Sequence, residues 1–319
     1  MTSGSLIAKE QAPIQPRKDP PKRGLSRKHR EWIAAALFLT PDLIGLFIFL
    51  GIPMLMSLLL GFFSADGFGN FTFVGFGNYV QMFSDAQFMN SLRTTLLYIV
   101  AFVPGLFITS LLLALLVKQK IPFVGVLRSM FFVPNVISLV VVGFVWKFIL
   151  IDKIGLLNQI LQSAGISGIS WLGDPNLALW SVIAITIWFS MGYYMIIFLA
   201  GLQEISPEFY EASMLDGANA WQTFWKVTWP LLRPTSFFVL LVSLVSAVAG
   251  SQGFDLIYVM TRGGPANATE LGIFYIYEQA FQFNNYGYAA AMASFVVAIL
   301  LVATIIMFAV TKGGSFESD

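Results

Sequence analysis

The chain has 319 residues, 57% of them hydrophobic and 11% charged, with a formal net charge of +1 and no cysteine. That balance is too apolar for one soluble core with a wetted surface, and it offers no basic face for nucleic acid, so the bilayer is the expected solvent. The lack of cysteine excludes thiolate catalysis, disulfides and Cys-ligated metals.

Residues 1–33 open the chain as a basic tail, "PRKDPPKRGLSRKHR", in which prolines oppose helix and charges oppose burial, so it is expected to be disordered and cytoplasmic. His29, the only histidine, is read there as solvated rather than as a ligand. About thirty polar residues precede the first apolar run, which is longer than a signal-peptide core, so no cleavable signal is expected.

Six apolar spans come next, at about 34–62, 92–117, 125–150, 178–202, 235–260 and 287–311, each near the ~20 residues that cross a hydrocarbon core as helix. In the first, "LTPDLIG" has capping grammar. Thr40 is expected to cap, Pro41 to take the first helical position and Asp42 to face the dipole, which would leave residues 32–39 as a short interfacial helix. The competing reading of Asp42 is an intramembrane proton carrier.

Positive charge orients the spans. Fourteen of the eighteen basic residues fall on one side, among them Lys9, Arg17, Arg27, Lys118, Lys120, Arg128, Lys226, Arg233 and Lys312, leaving Arg93, Lys147, Lys153 and Arg262 on the other. Both termini are therefore expected in the cytoplasm, with 312–319 a short tail. The outward segments 63–91, 151–177 and 261–286 are rich in Gly, Asn and aromatics, which suits folded caps. The triplets "NFT" at Asn70 and "NAT" at Asn267 are read as chance matches to a glycosylation acceptor.

The cytoplasmic segment 204–234 interrupts this pattern with "EASMLDGANAWQTFWKVTWPLLRP". Ser206, Pro207 and Glu208 read as a helix start, and Gly217 as its stop. Asn219 with Gln222 has capping-box spacing for a second helix, on which Trp221, Phe224, Trp225 and Thr228 fall on one face at i, i+3, i+4 and i+7. This is either a capped loop and nothing more or a docking surface. Large aromatics on a charged loop are costly to expose, which favours docking.

The stretch resembles the EAA loop of binding-protein-dependent ABC importer permeases: Glu211, Ala212 and Ser213, then Asp216, Gly217 and Ala218, then Pro230, with Ser213 the one departure from Glu-Ala-Ala. "FVGFGNYVQMF" from Phe73, "WLGDPNLALWSVIAITIW" from Trp171 and "TRGGPANATELGIFYIYEQAF" from Thr261 are similar to the sugar-importing, maltose-permease-like branch, in order over residues 35 to 311. The resemblance implies an all-α polytopic fold of the type I importer permease class, over a transmembrane domain at 34–311, in the bacterial inner membrane. It implies that Glu211, Ala212, Ser213, Leu215, Asp216, Gly217 and Ala218 form a coupling helix and its exit, seated on a cytoplasmic ATPase.

A sugar site in a membrane needs polar groups facing a cavity and aromatic rings to cover pyranose faces. "WFSMGYYM" in the fourth span offers Trp188, Ser190, Tyr193 and Tyr194, and "SAVAGSQGFD" lies in the fifth. Carried over by motif, substrate contacts fall on Phe189, Ser190 and Tyr193, and on Ser246, Gly250 and Gly253. The branch has asparagines at the two glycine positions, so Gln252 or Ser251 is expected to supply hydrogen bonds there. Tyr193 could instead be interfacial, and the glycines close-packing contacts between helices. Asp255 is read as solvated at the outer end of its span.

No Gly-Lys pair occurs, so the chain has no Walker A loop, and no catalytic constellation stands out. No enzyme activity, metal or cofactor is expected in it, ATP being used by partners. Those partners would be a second permease, two ATP-binding cassette subunits, an extracellular or periplasmic solute-binding protein, membrane lipid and a sugar. The competing class is an ion-coupled secondary transporter, which would need functional carboxylates within its spans. Asp42 and Asp255 are the candidates. A membrane scaffold that recruits a partner would explain the loop but not the polar aromatics of the fourth span.

Overall fold

A computed structural model of the chain describes residues 27–119 and 122–311, which leaves out the first 26 residues, Lys120 and the carboxy-terminal tail with Lys312; the side chains of Arg27, His29, Arg30 and Ser251 also lie outside the described residues. Two compact units emerge, one ending at Leu55 and one beginning at Met56. In the first, α1 (Arg27–Leu46) continues through a π-helical turn, Phe47–Gly51, into α2 (Ile52–Leu60). Helix starts at Arg27, inside the stretch expected to be tail. Thr40 caps nothing: its hydroxyl donates to the Ala36 carbonyl one turn back at 2.6 Å, and Pro41 lies inside the continuing helix. The expected interfacial helix is therefore merged with the span. The missing N–H of Pro41 costs this helix one bond, while the Thr40 hydroxyl gives the Ala36 carbonyl a local partner.

The second unit opens with a hairpin of β1 (Phe63–Ala65) and β2 (Phe71–Phe73), with Phe63 opposite Phe73, followed by α3 (Gly77–Ser84). Next comes α4 (Ala86–Lys118), which Asp85 caps by accepting from the Gln87 and Phe88 N–H groups. Helix α5 (Val124–Phe132) passes through a 3₁₀ turn, Val133–Val136, into α6 (Leu139–Ile149), with a bend of 98°. The third expected span is thus a broken pair and not one helix. Pro134 starts the 3₁₀ turn, and Ile137 after it is extended, which ends the hydrogen-bond ladder there. The short α7 (Leu156–Ser163) precedes α8 (Ala178–Glu204).

The loop elements are α9 (Pro207–Leu215), α10 (Ala220–Thr223), a π turn Phe224–Thr228 and α11 (Trp229–Leu231). Span five is α12 (Arg233–Ala249) plus α13 (Ser251–Met260), separated at Gly250. Helix α14 (Gly272–Tyr277), a π turn Glu278–Gln282 and α15 (Tyr286–Val310) complete the chain. Among the described residues five helices are long and apolar enough to cross a membrane, six if the bent pair is counted as one span.

The main core lies along α4 and α8, where Tyr98, Phe102 and Leu106 meet Val182, Phe198 and Leu202. Without water, hydroxyls on these helices must find local acceptors, and they do: Ser110 donates to Leu106 and Thr186 to Val182, each one turn back. At Gly192 of α8 any β-carbon would overlap the Phe131 carbonyl, so glycine lets α8 cross the end of α5 at backbone contact. A smaller core of Met82, Phe88, Tyr275, Tyr288 and Met292 closes the end of the bundle where α4 begins.

Candidate functional site

The loop at 204–234 is built from local bonds. Ser206 caps α9 with Pro207 at its first position, as its sequence requires. At the exit the Gly217 N–H donates to Met214 and the Ala218 N–H to Ser213, both at 3.0 Å, a Schellman closure that needs the φ of +74° found at Gly217. The spacing of Asp216, Gly217 and Ala218 is thus the geometry of a helix stop. Asn219 and Gln222 form the expected capping box at the start of α10.

Beyond Thr223 the chain departs from the expected regular helix. The π turn at Phe224–Thr228 adds a residue and splits the aromatic face. Trp221 and Trp225 are exposed and stack edge-on at 5.6 Å, whereas Phe224 and Trp229 turn inward against the core. Ser213 is buried between the two loop helices, its hydroxyl 2.8 Å from the Tyr210 carbonyl and 3.3 Å from the Thr223 hydroxyl. The departure from alanine at this position supplies a tie from α9 to α10. Outside, α9 and its exit expose Phe209, Met214 and Leu215 beside Glu208, Glu211, Ala212 and Asp216, with Leu215 89% exposed. Large apolar side chains left exposed among carboxylates around one short helix suit a partner's surface.

The membrane site forms between α8 and the broken fifth span. Ser190, fully buried, donates to Gln252 Oε1 at 3.1 Å, and Tyr194 donates to Ser246 Oγ at 3.4 Å. The structure therefore brings together Ser190, Gln252 and Ser246 of the expected set and adds Tyr194 to them. Gly250 is the break itself: its backbone is extended, and a β-carbon there would overlap the Ser246 carbonyl. Phe189 is buried in the core, and its carbonyl accepts from Asn135 Nδ2 at 3.5 Å in the bend of the third span. Gly253 is packed against Leu271 and the Tyr98 ring.

Two expected members sit apart. Tyr193 is 43% exposed and meets Tyr194 edge-on, while Trp188 stands on another face of α8 against Trp146. There it joins Trp171 and Trp180 around an apolar cavity of about 350 Å³ whose one hydroxyl, that of Ser181, already donates to the Trp171 carbonyl. Tyr194 is among the candidates of the fourth span, whereas no local signal points to Asn135, whose partner lies more than fifty positions away. Of the carboxylates weighed for ion coupling, Asp42 is exposed and Asp255 half-buried.

A third polar group fastens the amino-terminal end of α4. Asp85 accepts from the Tyr275 and Tyr288 hydroxyls at 2.8 and 2.7 Å, and Gln87 reaches both carboxylate oxygens of buried Glu270 at 3.0 and 3.1 Å. Burial would push the Asp85 carboxyl up, but these hydroxyls and two backbone N–H groups outweigh it and hold it below the ordinary value. Glu270 goes the other way, pushed up to about 7 by burial, with the nearby Glu278 and Asp85 charges adding to it and Gln87 opposing.

The family described as "Binding-protein-dependent transport system inner membrane component" matches residues 110–313, the region that holds both the loop and the membrane site. The chain is 35% identical over 289 residues to "Probable ABC transporter permease protein YurN" of Bacillus subtilis (strain 168), covering 88% of this chain and 97% of that one. It is 31% identical over 281 residues to "Probable starch degradation products transport system permease protein AmyD" of Thermoanaerobacterium thermosulfurigenes, covering 88% and 94%. Its fold is similar, at a TM-score of 0.78 and 26% identity over 89% of this chain and 95% of the other, to a chain in the crystal structure of a bacterial alginate ABC transporter in complex with an alginate pentasaccharide-bound periplasmic protein. The mostly helical fold is thus that of an importer permease, and the chain belongs to the binding-protein-dependent transport system inner membrane components.

Proposed function

We propose that the chain forms half of the translocation pathway of an ATP-driven importer for a sugar or related polyol, and that α9 is its coupling helix. The observation that carries this reading is α9 itself, a helix capped at both ends that leaves Phe209, Met214 and Leu215 exposed among Glu208, Glu211 and Asp216. A rigid, partly apolar helix outside the membrane bundle is what a cleft in an ATPase subunit would grip. The polar set Ser190, Tyr194, Ser246 and Gln252 supplies hydroxyl and amide groups suited to a neutral polyhydroxy solute. The names of AmyD and of the alginate transporter point to carbohydrate, and the alginate complex also supports an external binding protein as partner.

In this reading two ATP-binding cassette subunits and a second permease complete the assembly in the inner membrane, with both termini cytoplasmic. ATP binding draws the coupling helices together and turns the shared cavity outward, and hydrolysis returns it inward. The chain itself makes and breaks no bond. Purifying the tagged chain from its native membrane in mild detergent tests this: an ATPase, a second six-span permease and a binding protein should come with it. Recovery of the chain alone, where a control importer stays assembled, would favour the ion-coupled class.

A further inference from the structure

The coupling helix is tied to the membrane bundle through one phenol. Tyr210, on α9, is half-buried, and its ring packs with Phe224 and Trp229 against the main core. Lys118, the last residue of α4, donates from Nζ to the Tyr210 hydroxyl at 2.8 Å and stands 4.2 Å from the centroid of the same ring. The Thr228 hydroxyl, from the π turn, reaches that phenol at 3.5 Å. An ammonium is favoured at a helix carboxy terminus by the dipole and over an aromatic face by the ring quadrupole, so three effects hold Lys118 in one place.

Helix α4 is anchored equally well at its other end, where Asp85 and Gln87 hold Tyr275, Tyr288 and Glu270. Its 33 residues run unbroken through Pro104, a length of roughly 50 Å at about 1.5 Å per residue. Tyr98, Phe102 and Leu106 pack in the core that α4 shares with α8. A helix fixed at both ends and packed along its length passes a displacement from one end to the other, because a close-packed interior does not absorb it.

We propose that the Lys118–Tyr210 contact is the joint that passes movement of the coupling helix to α4, and that α4 carries it to the outer segments at Asp85 and Glu270. This rests on the reading of α9 as the coupling helix. Both residues are positioning residues: neither needs to touch solute or nucleotide.

The chain has no cysteine, so single reporters can be placed in the full importer, reconstituted with its partner subunits in lipid nanodiscs. Val80→Cys, at a 70% exposed position on α3 just before Asp85, reports the outer end by its labelling rate with an impermeant maleimide, with and without MgATP and vanadate. Leu215→Cys reports docking by cross-linking to the ATPase subunit. With Tyr210 and Lys118 intact, the nucleotide should change Val80→Cys labelling. Tyr210→Phe and Lys118→Met should shrink that change on the order of tenfold, the effect of losing a hydrogen bond to a charged group, while the Leu215→Cys cross-link persists. Lys118→Arg, which keeps charge and donor, should restore it.

A full labelling response in Tyr210→Phe and Lys118→Met, with the cross-link present, overturns the joint and leaves the coupling reading standing. So does a reporter silent to nucleotide in the otherwise unchanged chain, since α4 would then carry nothing outward. Absence of the cross-link with Tyr210 intact sinks the coupling reading itself. Should Tyr210→Phe fail to assemble, the Lys118→Met and Lys118→Arg pair decides alone.

Discussion

The loop at 204–234 and the candidate membrane site are held together in opposite ways. In the loop the caps and the closing turn join residues two to five positions apart, as in Ser206 with Glu208, Asn219 with Gln222 and Ala218 with Ser213. In the membrane the polar contacts join distant segments: Ser190 with Gln252, Tyr194 with Ser246, and Asn135 with the Phe189 carbonyl. A loop built from short-range bonds can keep its shape while the bundle beneath it changes, which suits a part that must stay seated in a partner. A site built from long-range bonds between broken helices changes whenever those helices shift, which suits a cavity that must open and close.

The comparison breaks most visibly at a helix crossing. Gly192→Val would drive a branched side chain into the Phe131 carbonyl, and the cost of such overpacking, about 3 kcal/mol, should remove most assembled chain from the membrane. Recovery of monodisperse protein by fluorescence-detected chromatography measures this, and normal yield would contradict the backbone contact. Glu211→Lys, by contrast, should leave the chain assembled and lower uptake by about two orders of magnitude, the effect of a reversed charge at a partner surface. Normal transport by a well-expressed variant would count against the coupling role.

These two positions also show what sequence can and cannot reveal. Pro207, Gly217 and the Asn219–Gln222 pair announce the loop because each acts on backbone within reach of its own side chain. The same grammar failed at Thr40, where a hydroxyl that could cap instead bonds back along a helix that never stops. Apolar length placed the spans at about 178–202 and 287–311, close to α8 and α15, but gave no sign of the 98° bend in the third, because the chain remains equally greasy on both sides of Pro134. Tyr193 and Tyr194 are adjacent and chemically identical, and only the position of α12 decides that Tyr194 is buried against Ser246.

A smaller effect sharpens the membrane half of the comparison. Gln252→Ala removes the acceptor of the buried Ser190 hydroxyl, and Ser190→Ala removes the donor. If the pair serves solute, either change should raise the half-saturating solute concentration about tenfold, with ATP hydrolysis retained. A double-mutant cycle in the reconstituted importer separates this from packing: additive losses would mean that the two side chains do not act as a unit.

The smallest effect lies at the amino-terminal end of α4, where a titrating group is joined to a segment nearly two hundred positions away. Glu270 is held by Gln87 and faces Glu278 and Asp85, and burial, its largest influence, pushes its carboxyl up to about 7. A carboxyl with a raised folded value favours the protonated form in the folded chain. Its contribution to stability is therefore complete below its ordinary value near 4.5, declines as pH rises through about 7, and is gone above that. The melting temperature of the purified chain should fall by about 3 °C between pH 5 and pH 8, the shift that roughly 1 kcal/mol produces in a chain of this size class. In Glu270→Gln, which keeps the shape and cannot titrate, that part of the slope should vanish. A slope unchanged in the variant would assign the pH dependence to other groups and leave the Gln87–Glu270 tie a neutral fastening of α4.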